Sequence, residues 1–272
     1  MEKDQNIFKK LSVVIPVYNE EKTVQELVET VLAVPLHLDK ELIIVDDCST
    51  DNTFSLISQL KESNPCLRVF RNEKNRGKGF SVKRGIEEAA GDIIVIQDAD
   101  LEYDPNEYPK LLKPILQGNA DVVYGSRFIT SEPKRVLYFW HYVGNKILTL
   151  FSNMVSNLNL SDMETCYKMF RAPVIKAIKI KENRFGFEPE ITFKLSRIKG
   201  LRIYEVGISY HGRTYEEGKK IIWKDGVRAF YVLLKNSILY AIRKKKHIYK
   251  PGPLINADSD DDHDKISNKS DR

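Results

Sequence analysis

The first half of the chain alternates short, continuous apolar runs with segments in which apolar residues recur every three or four positions. Runs of this kind, rich in Val and Ile, are typical of strands buried on both faces of a parallel sheet. Five of them predict strands at 11–17, 42–45, 67–70, 93–96 and 121–124. The periodic segments predict helices at 20–33, 53–60, 79–90 and 105–116. This alternation predicts an α/β fold with a mostly parallel, doubly wound sheet, whose ligands bind at the carboxyl ends of the strands.

The second half is less regular and contains two long amphipathic patterns. One predicts a helix at 136–158, with Trp140 on its apolar stripe, and the other a helix at 222–242 that leads into the cationic run 243–246. Both helices can rest on an anionic membrane surface, but an apolar stripe can equally pack on its own domain or on a partner subunit. The chain thus divides into an N-terminal extension (1–10), a main domain (11–220), a basic amphipathic helix (221–250) and an acidic tail (251–272) expected to be disordered.

Charge divides the molecule in the same way. The net charge is +5 over 272 residues, yet the tail after residue 250 has six Asp against three Lys or Arg, so the body is more positive than the whole. A positive body suits nucleotide phosphates, a membrane surface or nucleic acid, although solubility alone would also explain it. No nucleic-acid partner is expected, because the basic residues form no recognisable reading module.

Cysteine usage and hydropathy predict a location. Cys48, Cys66 and Cys166 are odd in number and lack metal-ligand spacing, so we expect reduced thiols. The first residues contain no apolar signal segment, and no run approaches the roughly 20 apolar residues of a spanning helix. We expect a cytoplasmic protein, peripheral on the cytoplasmic face of a membrane.

The segment Q-D-A-D-L-E at 97–102 directly follows an apolar run. Carboxylates two residues apart at the end of a buried strand can approach one cation together, and Mg²⁺ or Mn²⁺ prefers such oxygen ligands. Alone, Asp-x-Asp describes surface acids equally well. The position of Asp98 and Asp100 after a strand favours a metal site that offsets charge on a departing diphosphate.

Two further polar segments follow predicted strands. V-D-D-C-S-T-D at 45–51 offers a carboxylate that can accept donors of a nucleobase, while Ser49 and Thr50 can cap the next helix. I-P-V-Y-N-E at 15–20 places Tyr18 where it can lie against a base and Glu20 at a helix N-terminus. Taken singly, either segment is also compatible with a structural role.

Together these segments carry a resemblance to a known family. S-V-V-I-P-V-Y-N-E-E, I-I-V-D-D-C-S-T-D-N-T, N-R-G-K-G and Q-D-A-D-L-E occur in the order and spacing of family 2 inverting glycosyltransferases of the GT-A fold. V-Y-G-S-R-F at 123–128, S-D-M-E-T-C-Y-K-M-F-R at 161–171, F-G-F-E-P-E-I at 185–191 and H-G-R-T-Y-E-E-G-K-K at 211–220 resemble the dolichyl-phosphate mannose synthase and polyprenyl-phosphate glycosyltransferase branch. The resemblance covers about residues 10–235.

The resemblance implies a GT-A main domain and a donor site at specific positions. Asp98 and Asp100 would bind the metal and diphosphate, and with Arg127 they are the expected catalytic residues. Glu102 would take the third metal-side position, where relatives often have Gln. The nucleoside would be surrounded by Pro16, Tyr18, Glu20, Val45 and Asp47, with Ala99 touching the donor. The donor diphosphate or the acceptor phosphate would meet Arg127, Arg213 and Lys219.

One departure from the family pattern bears on the sugar. S-D-M-E-T-C-Y-K replaces the S-D-x-T-G-S-F-R form of mannose synthases, so Glu164 and Lys168 are expected to alter the acceptor or sugar pocket. We therefore favour a UDP-hexose donor over GDP-mannose.

The predicted function is inverting transfer of a hexose to a polyprenyl or dolichyl phosphate. Such a monoester, with a second pKa near about 6, is largely a dianion at neutral pH and attacks without a strong base. A hydroxyl acceptor would need one, and Asp162 or Glu190 would be the candidates. Two alternatives remain: a soluble glycosyltransferase acting on a glycan or protein hydroxyl, and a non-catalytic nucleotide-binding scaffold, against which the intact Asp98 and Asp100 argue.

Overall fold

The structure is a computed structural model that describes residues 8–129, 135–136, 138–214, 216 and 223–243. The described strands are β1 (Lys10–Val17), β2 (Asp39–Asp46), β3 (Leu67–Arg71), β4 (Ile93–Ile96), β5 (Val122–Ser126), β6 (Lys168–Arg171) and β7 (Ile203–Gly207). The described helices are α1 (Val24–Ala33), α2 (Thr53–Ser63), α3 (Lys78–Glu88), α4 (Tyr108–Leu116), α5 (Phe139–Ser156), α6 (Ala172–Lys176), α7 (Phe187–Leu195) and α8 (Trp223–Arg243), with a 3₁₀ turn at Pro105–Glu107.

The strands form one mostly parallel sheet in the order β3-β2-β1-β4-β6-β5-β7. Four of the five apolar runs identified in the sequence lie within β1 to β4, and the fifth, 121–124, overlaps β5 from Val122 onward, so the predicted α/β fold is confirmed. The sheet is buried on both faces because helices cover both of them. Along β1, Val13 and Ile15 belong to one hydrophobic cluster and Val14 to the other. Helix α1 packs against the first cluster through the predicted stripe of Val24, Leu27, Val28 and Val31.

Strand β6 runs antiparallel between its neighbours β4 and β5. An antiparallel strand begins at the edge where its parallel neighbours end. The segment before β6, residues 161–167, therefore lies beside the segment after β4, residues 97–102. Two motifs about 60 residues apart in sequence meet at the ligand-binding edge for this reason.

Helices α5 and α8 pack together but keep part of their apolar surface exposed. Phe151 of α5 stacks on Phe230 of α8, with ring centroids 4.1 Å apart. By contrast, Trp140 is 76% exposed and Met154 66% exposed. The two helices thus pack on each other while part of each apolar stripe stays exposed, and their contact with a membrane or a partner subunit stays a prediction. Within the described residues, we find no helix that is both long and apolar enough to span a bilayer.

Several sequence predictions concern residues outside those that the structure describes. They include the N-terminal extension through residue 7, Lys219, most of the basic run 243–246 and the acidic tail 251–272.

Candidate active site

The loops after β1 and β2 hold each other in place. Asn19 has a left-handed backbone (φ 51°), its amide donates to Ser49 Oγ at 3.0 Å, and its side-chain oxygen accepts from the Thr50 amide at 2.9 Å. The amide of Glu20 donates to Thr53 Oγ1 at 2.9 Å. Ser49 and Thr53 therefore position the Tyr18–Glu20 segment. The prediction that Ser49 and Thr50 cap α2 is wrong, because the N-cap is Asn52, its side chain makes no capping hydrogen bond, and Ser49 and Thr50 contact Asn19 instead.

The residues predicted around the nucleoside lie on these two strands and loops. Pro16 and Val45 are paired in the register of β1 and β2, and both are buried. Tyr18 is half-buried at the end of β1. The structure thus brings Pro16, Tyr18, Glu20 and Val45 to one edge of the sheet.

Asp47 holds the N-R-G-K-G loop. Its carboxylate is 3% exposed and accepts from Asn72 Nδ2 at 2.8 Å, the Arg76 amide at 2.9 Å and the Gly77 amide at 2.7 Å. An ionised carboxylate has about four acceptor positions, so about one remains for a nucleobase donor. Neighbouring Asp46 is also structural, because Arg71 Nε lies 3.2 Å from it.

Asp98 is paired with Lys78 of the N-R-G-K-G segment. Lys78 Nζ lies 2.5 Å from Asp98 Oδ1 and donates to Cys166 Sγ at 2.8 Å. Burial of Lys78 opposes its charge, but the nearby charges of Asp98, Cys166 and Glu188 outweigh burial and raise its pKa. Lys78 therefore joins the loop after β4 to the segment before β6 as a charged group.

Arg213 contacts the Asp-x-Asp loop at Asp100 and Glu102. Its guanidinium donates to Glu20 at 3.0 and 3.2 Å, and it lies 3.3 Å from Asp100 Oδ2. Its amide donates to Glu102 Oε1 at 2.7 Å, and Tyr210 Oη donates to Glu102 Oε2 at 2.9 Å. The segment 210–213 is thus fixed to residues 100–102.

These contacts decide which residues fit a metal ion. The side chains of Asp98 and Asp100 are 12% and 21% exposed, and each is neutralised by one basic group, Lys78 or Arg213. Hard carboxylate oxygens that already attract cations fit Mg²⁺ or Mn²⁺. Glu102 accepts one hydrogen bond on each oxygen, from the Arg213 amide and from Tyr210 Oη, so about two acceptor positions remain and its place as a third metal ligand stays a prediction. Among the described residues, no three acidic, His or Cys side chains gather into a ligand set. Ala99 lies between the two acids, and its carbonyl accepts from Thr23 Oγ1 at 2.7 Å.

Arg127 and Asp162 form a buried bidentate pair. Arg127 Nε and Nη2 donate to the two Asp162 oxygens at 2.6 and 2.7 Å, and Asp162 is fully buried. Burial disfavours the guanidinium charge, yet Asp162 overcomes this and raises the pKa of Arg127. Asp162 therefore positions Arg127, and the hypothesis that it acts as a general base finds no support in these contacts.

Glu190 is also engaged elsewhere. It accepts from the amides of Lys181 and Glu182 at 2.9 and 2.8 Å and pairs with Lys194 at 2.5 Å. Its carboxylate fixes the segment before α7, so these contacts do not support the second base hypothesis either. Lys219 lies outside the described residues, and its predicted phosphate contact stays a prediction.

The site contains residues to which the sequence analysis gave no role. Lys78, Cys166 and Glu188 join Glu164 and Lys168 in one polar cluster beside Asp98, in which Glu188 forms an ion pair with Lys168. Signals were present: Lys78 belongs to N-R-G-K-G, and Glu188 is an acid inside the apolar segment F-G-F-E-P-E-I. Their partners could not be predicted from the sequence, because these residues meet only when β6 inserts antiparallel between β4 and β5.

The N-R-G-K-G loop packs against backbone that leaves no room for side chains. Gly77 has φ 96°, a conformation that favours glycine. A methyl group at Gly79 would overlap the carbonyl oxygen of Glu182 and lie 2.8 Å from that of Arg184. The loop that carries Lys78 is therefore supported by residues 182–184.

We expect Gly79→Ala to lower the free energy of unfolding by about 1–3 kcal/mol, because one backbone segment must move. The displaced loop should also raise the donor KM severalfold. Gly144→Ala is the matched control, since nothing lies within 4 Å of a methyl group there and α5 should gain up to about 1 kcal/mol. Urea denaturation and steady-state kinetics measure both effects; equal stability of the two variants would contradict the prediction.

The fold is similar to that of solved glycosyltransferase structures. Glucosyl-3-phosphoglycerate synthase from Mycobacterium tuberculosis, crystallised with Mn²⁺, uridine diphosphate and phosphoglyceric acid, superposes with a TM-score of 0.66 at 20% identity. The alignment covers 84% of this chain and 78% of that chain. This likeness confirms the expected GT-A architecture.

Curated relatives and a family model match the sequence. Dolichol-phosphate mannosyltransferase of Pyrococcus furiosus is 29% identical over 83% of this chain, which spans 64% of that protein's length. Dodecaprenyl-phosphate galacturonate synthase of Rhizobium johnstonii is 29% identical, covering 86% of this chain and 68% of that protein. The model of glycosyl transferase family 2 matches residues 12–179, more than half of the chain. The resemblance read from the motifs is confirmed, and the chain belongs to glycosyl transferase family 2.

Proposed function

We propose that this protein transfers a hexose, with inversion, from a nucleotide diphosphate sugar to a polyprenyl phosphate. The observation that carries the proposal is the presentation of Asp98 and Asp100 together after β4, each held by a basic side chain, 2.5 Å away for Lys78 and 3.3 Å for Arg213. The Pyrococcus and Rhizobium relatives are named for dolichol phosphate and dodecaprenyl phosphate, and this supports the acceptor class.

Asp98 and Asp100 are the residues that would hold Mg²⁺ or Mn²⁺ in this proposal. The bound cation would offset charge on the departing nucleoside diphosphate. Lys78 and Arg213 neutralise the same carboxylates in the free chain, so they compete with the metal there. On metal binding they become available to contact phosphate oxygens, which Arg in particular binds in a bidentate manner.

The contacts of Asp162 and Glu190 support a phosphate acceptor over a hydroxyl. Both carboxylates are buried in ion pairs, with Arg127 and Lys194 respectively. A phosphate dianion requires no base. It does require cations, and Arg127, Arg213 and Lys219 are proposed to supply them.

Membrane contact follows from the nature of this acceptor. The exposed apolar residues of α5 and α8, which include Phe139, Trp140 and Val227 at 66%, 76% and 60% exposure, would rest on the cytoplasmic leaflet where the lipid phosphate lies. Arg228 and Lys235 of α8 pair with Glu182 at 2.6 and 3.5 Å, so the charge for anionic lipid headgroups is proposed to come from the basic run 243–246.

A single reconstituted assay tests the function. The full chain is given UDP-glucose, UDP-galactose or GDP-mannose, with polyprenyl phosphate in vesicles and Mg²⁺, Mn²⁺ or EDTA, and the lipid products are identified by mass spectrometry. We expect a polyprenyl-phosphate hexose, favoured with a UDP-hexose and abolished by EDTA. Transfer only to a soluble glycan or protein hydroxyl would contradict the proposal. Flotation of the same samples measures membrane binding, which we expect to increase with anionic lipid.

A further inference from the structure

Two carboxylate oxygens in the polar cluster beside Asp98 lack hydrogen-bond partners. Glu188 is 2% exposed and its Oε2 is paired with the fully buried Lys168, but Oε1 is buried and accepts from no described residue. Oε1 of Glu164 is in the same situation. Both oxygens can therefore accept hydrogen bonds from donors that the described residues do not provide.

Leaving such atoms unpaired is costly. A buried polar group without a partner destabilises a fold by about 1–3 kcal/mol, and more when it is charged. Burial, reinforced by Glu188, raises the pKa of Glu164 to about 7, and burial also raises the pKa of Glu188. Buried unpaired atoms that persist in a native fold call for an explanation, of which a ligand at a functional site is one.

The two oxygens lie next to the proposed diphosphate site. Lys78 contacts both Asp98 and Cys166, and its ammonium lies 5.7 Å from the centre of the Phe187 ring. Cys166 is two residues from Glu164, and Phe187 precedes Glu188. The sugar of a nucleotide diphosphate sugar is attached to the diphosphate, and the cluster is the polar surface that Lys78 links directly to Asp98 of the proposed diphosphate site.

The charge of the cluster indicates what kind of sugar it accommodates. Glu188 is paired with Lys168 and Asp98 with Lys78, so these two carboxylates are already neutralised. A cationic amino sugar is not needed to balance them. An anionic sugar would bring a third carboxylate towards Glu164 and Glu188 and be repelled. Uncharged hydroxyl groups supply the missing donors without either difficulty.

We propose that the unpaired oxygens of Glu164 and Glu188 accept hydrogen bonds from hydroxyl groups of the donor's hexose and select a neutral hexose against a uronic acid. This inference rests on the proposed function and specifies the sugar class that the same site takes. Lys168 acts as a positioning residue, because its ion pair holds one Glu188 oxygen and leaves the other for the sugar.

The experiment measures nucleotide and sugar binding separately by calorimetry with Mn²⁺ present. Wild-type full chain, Glu164→Gln and Glu188→Gln are titrated with UDP, GDP, UDP-glucose, GDP-mannose and UDP-glucuronate. Glu62→Gln, an exposed carboxyl on α2, is the matched control. For the nucleotide sugar that binds, we expect each site variant to weaken binding about 3- to 10-fold relative to its own nucleoside diphosphate, because Gln keeps an acceptor oxygen but loses the charge that strengthens the hydrogen bond. Affinity for the nucleoside diphosphate itself should be unchanged.

The possible outcomes distinguish a failure of this inference from a failure of the proposed function on which it rests. If nucleotides bind but the sugar-to-nucleotide affinity ratio is the same in wild type and folded variants, water alone satisfies the two oxygens and the inference is overturned. If UDP-glucose binds more tightly than GDP-mannose, equal affinity of the wild type for UDP-glucuronate and UDP-glucose also overturns it, without any need for the variants to fold. If neither nucleotide binds, the proposed function fails together with the inference.

Discussion

Asp98→Asn should lower kcat/KM for hexose transfer by about a thousandfold, equivalent to about 4 kcal/mol of transition-state stabilisation. The amide keeps the size of the side chain but loses the negative charge that attracts the metal, and therefore the charge that offsets the departing diphosphate. Lys78 also loses its partner at 2.5 Å, so a positive charge is left beside the metal position. Both consequences weaken metal binding.

Two measurements check this prediction. Steady-state kinetics over a range of Mn²⁺ concentrations give kcat/KM, and calorimetry gives Mn²⁺ affinity, which a merely structural role of Asp98 would leave intact. Asp39→Asn, at the exposed start of β2, is the matched control and should behave as wild type. Unchanged turnover and Mn²⁺ affinity in Asp98→Asn would refute the site assignment.

Lys168→Met should lower the free energy of unfolding by about 3–5 kcal/mol, because it removes one partner of a buried ion pair. The methionine fills similar space, but Glu188 loses its direct ion-pair partner and keeps only the charge of Lys78 nearby. Since burial already raises the pKa of Glu188, the folded chain takes up a proton there more readily than the unfolded chain. The loss should therefore be smaller at pH 5.5 than at pH 8 and grow as the pH rises through that raised pKa.

Urea denaturation at both pH values measures the effect. The double variant Lys168→Met/Glu188→Gln should recover part of the stability at pH 8, since the uncompensated charge is gone. Lys61→Met, an exposed lysine on α2, should change stability by less than about 0.5 kcal/mol. A loss that is independent of pH and not relieved in the double variant would show that packing, rather than charge, is responsible.

The parts of the fold that depend on local pattern were predictable. Strands β1 to β5 are recognisable as continuous apolar runs because both of their faces are buried. Helix α1 is recognisable from apolar residues at every third or fourth position because only one of its faces is buried. Strand β6, with the sequence K-M-F-R, has no such apolar run. Its first residue is Lys168, which is buried only because Glu188, twenty positions later, neutralises it. Strand β7 was missed because it is half-exposed and contains Glu205.

The site was predictable in its location but not in its contacts. Strand ends and motif spacing place Asp47, Asp98 and Asp100 at one edge of the sheet, as observed. The partners of Asp47 and Glu102 were not readable, because Gly77 and Tyr210 reach them through loops whose paths depend on the whole fold. The same holds for Asp162, whose pairing with Arg127 spans 35 positions.

The reversed strand β6 has a consequence for how such chains diversify. Residues 127–167 leave the sheet from β5 and return to it on the adjacent strand, so the whole excursion is anchored at two neighbouring points. It contains Arg127, Asp162, Glu164 and Cys166, whereas the residues predicted around the nucleoside belong to β1, β2 and the loops after them, with Asp47 supported by the loop after β3. Because its two ends lie on adjacent strands, this segment can change in sequence or length without changing the order of the strands in the sheet. Changes in this excursion would therefore alter part of the proposed sugar and acceptor side, which also includes Glu188 of α7, and leave the residues of β1 and β2 in place.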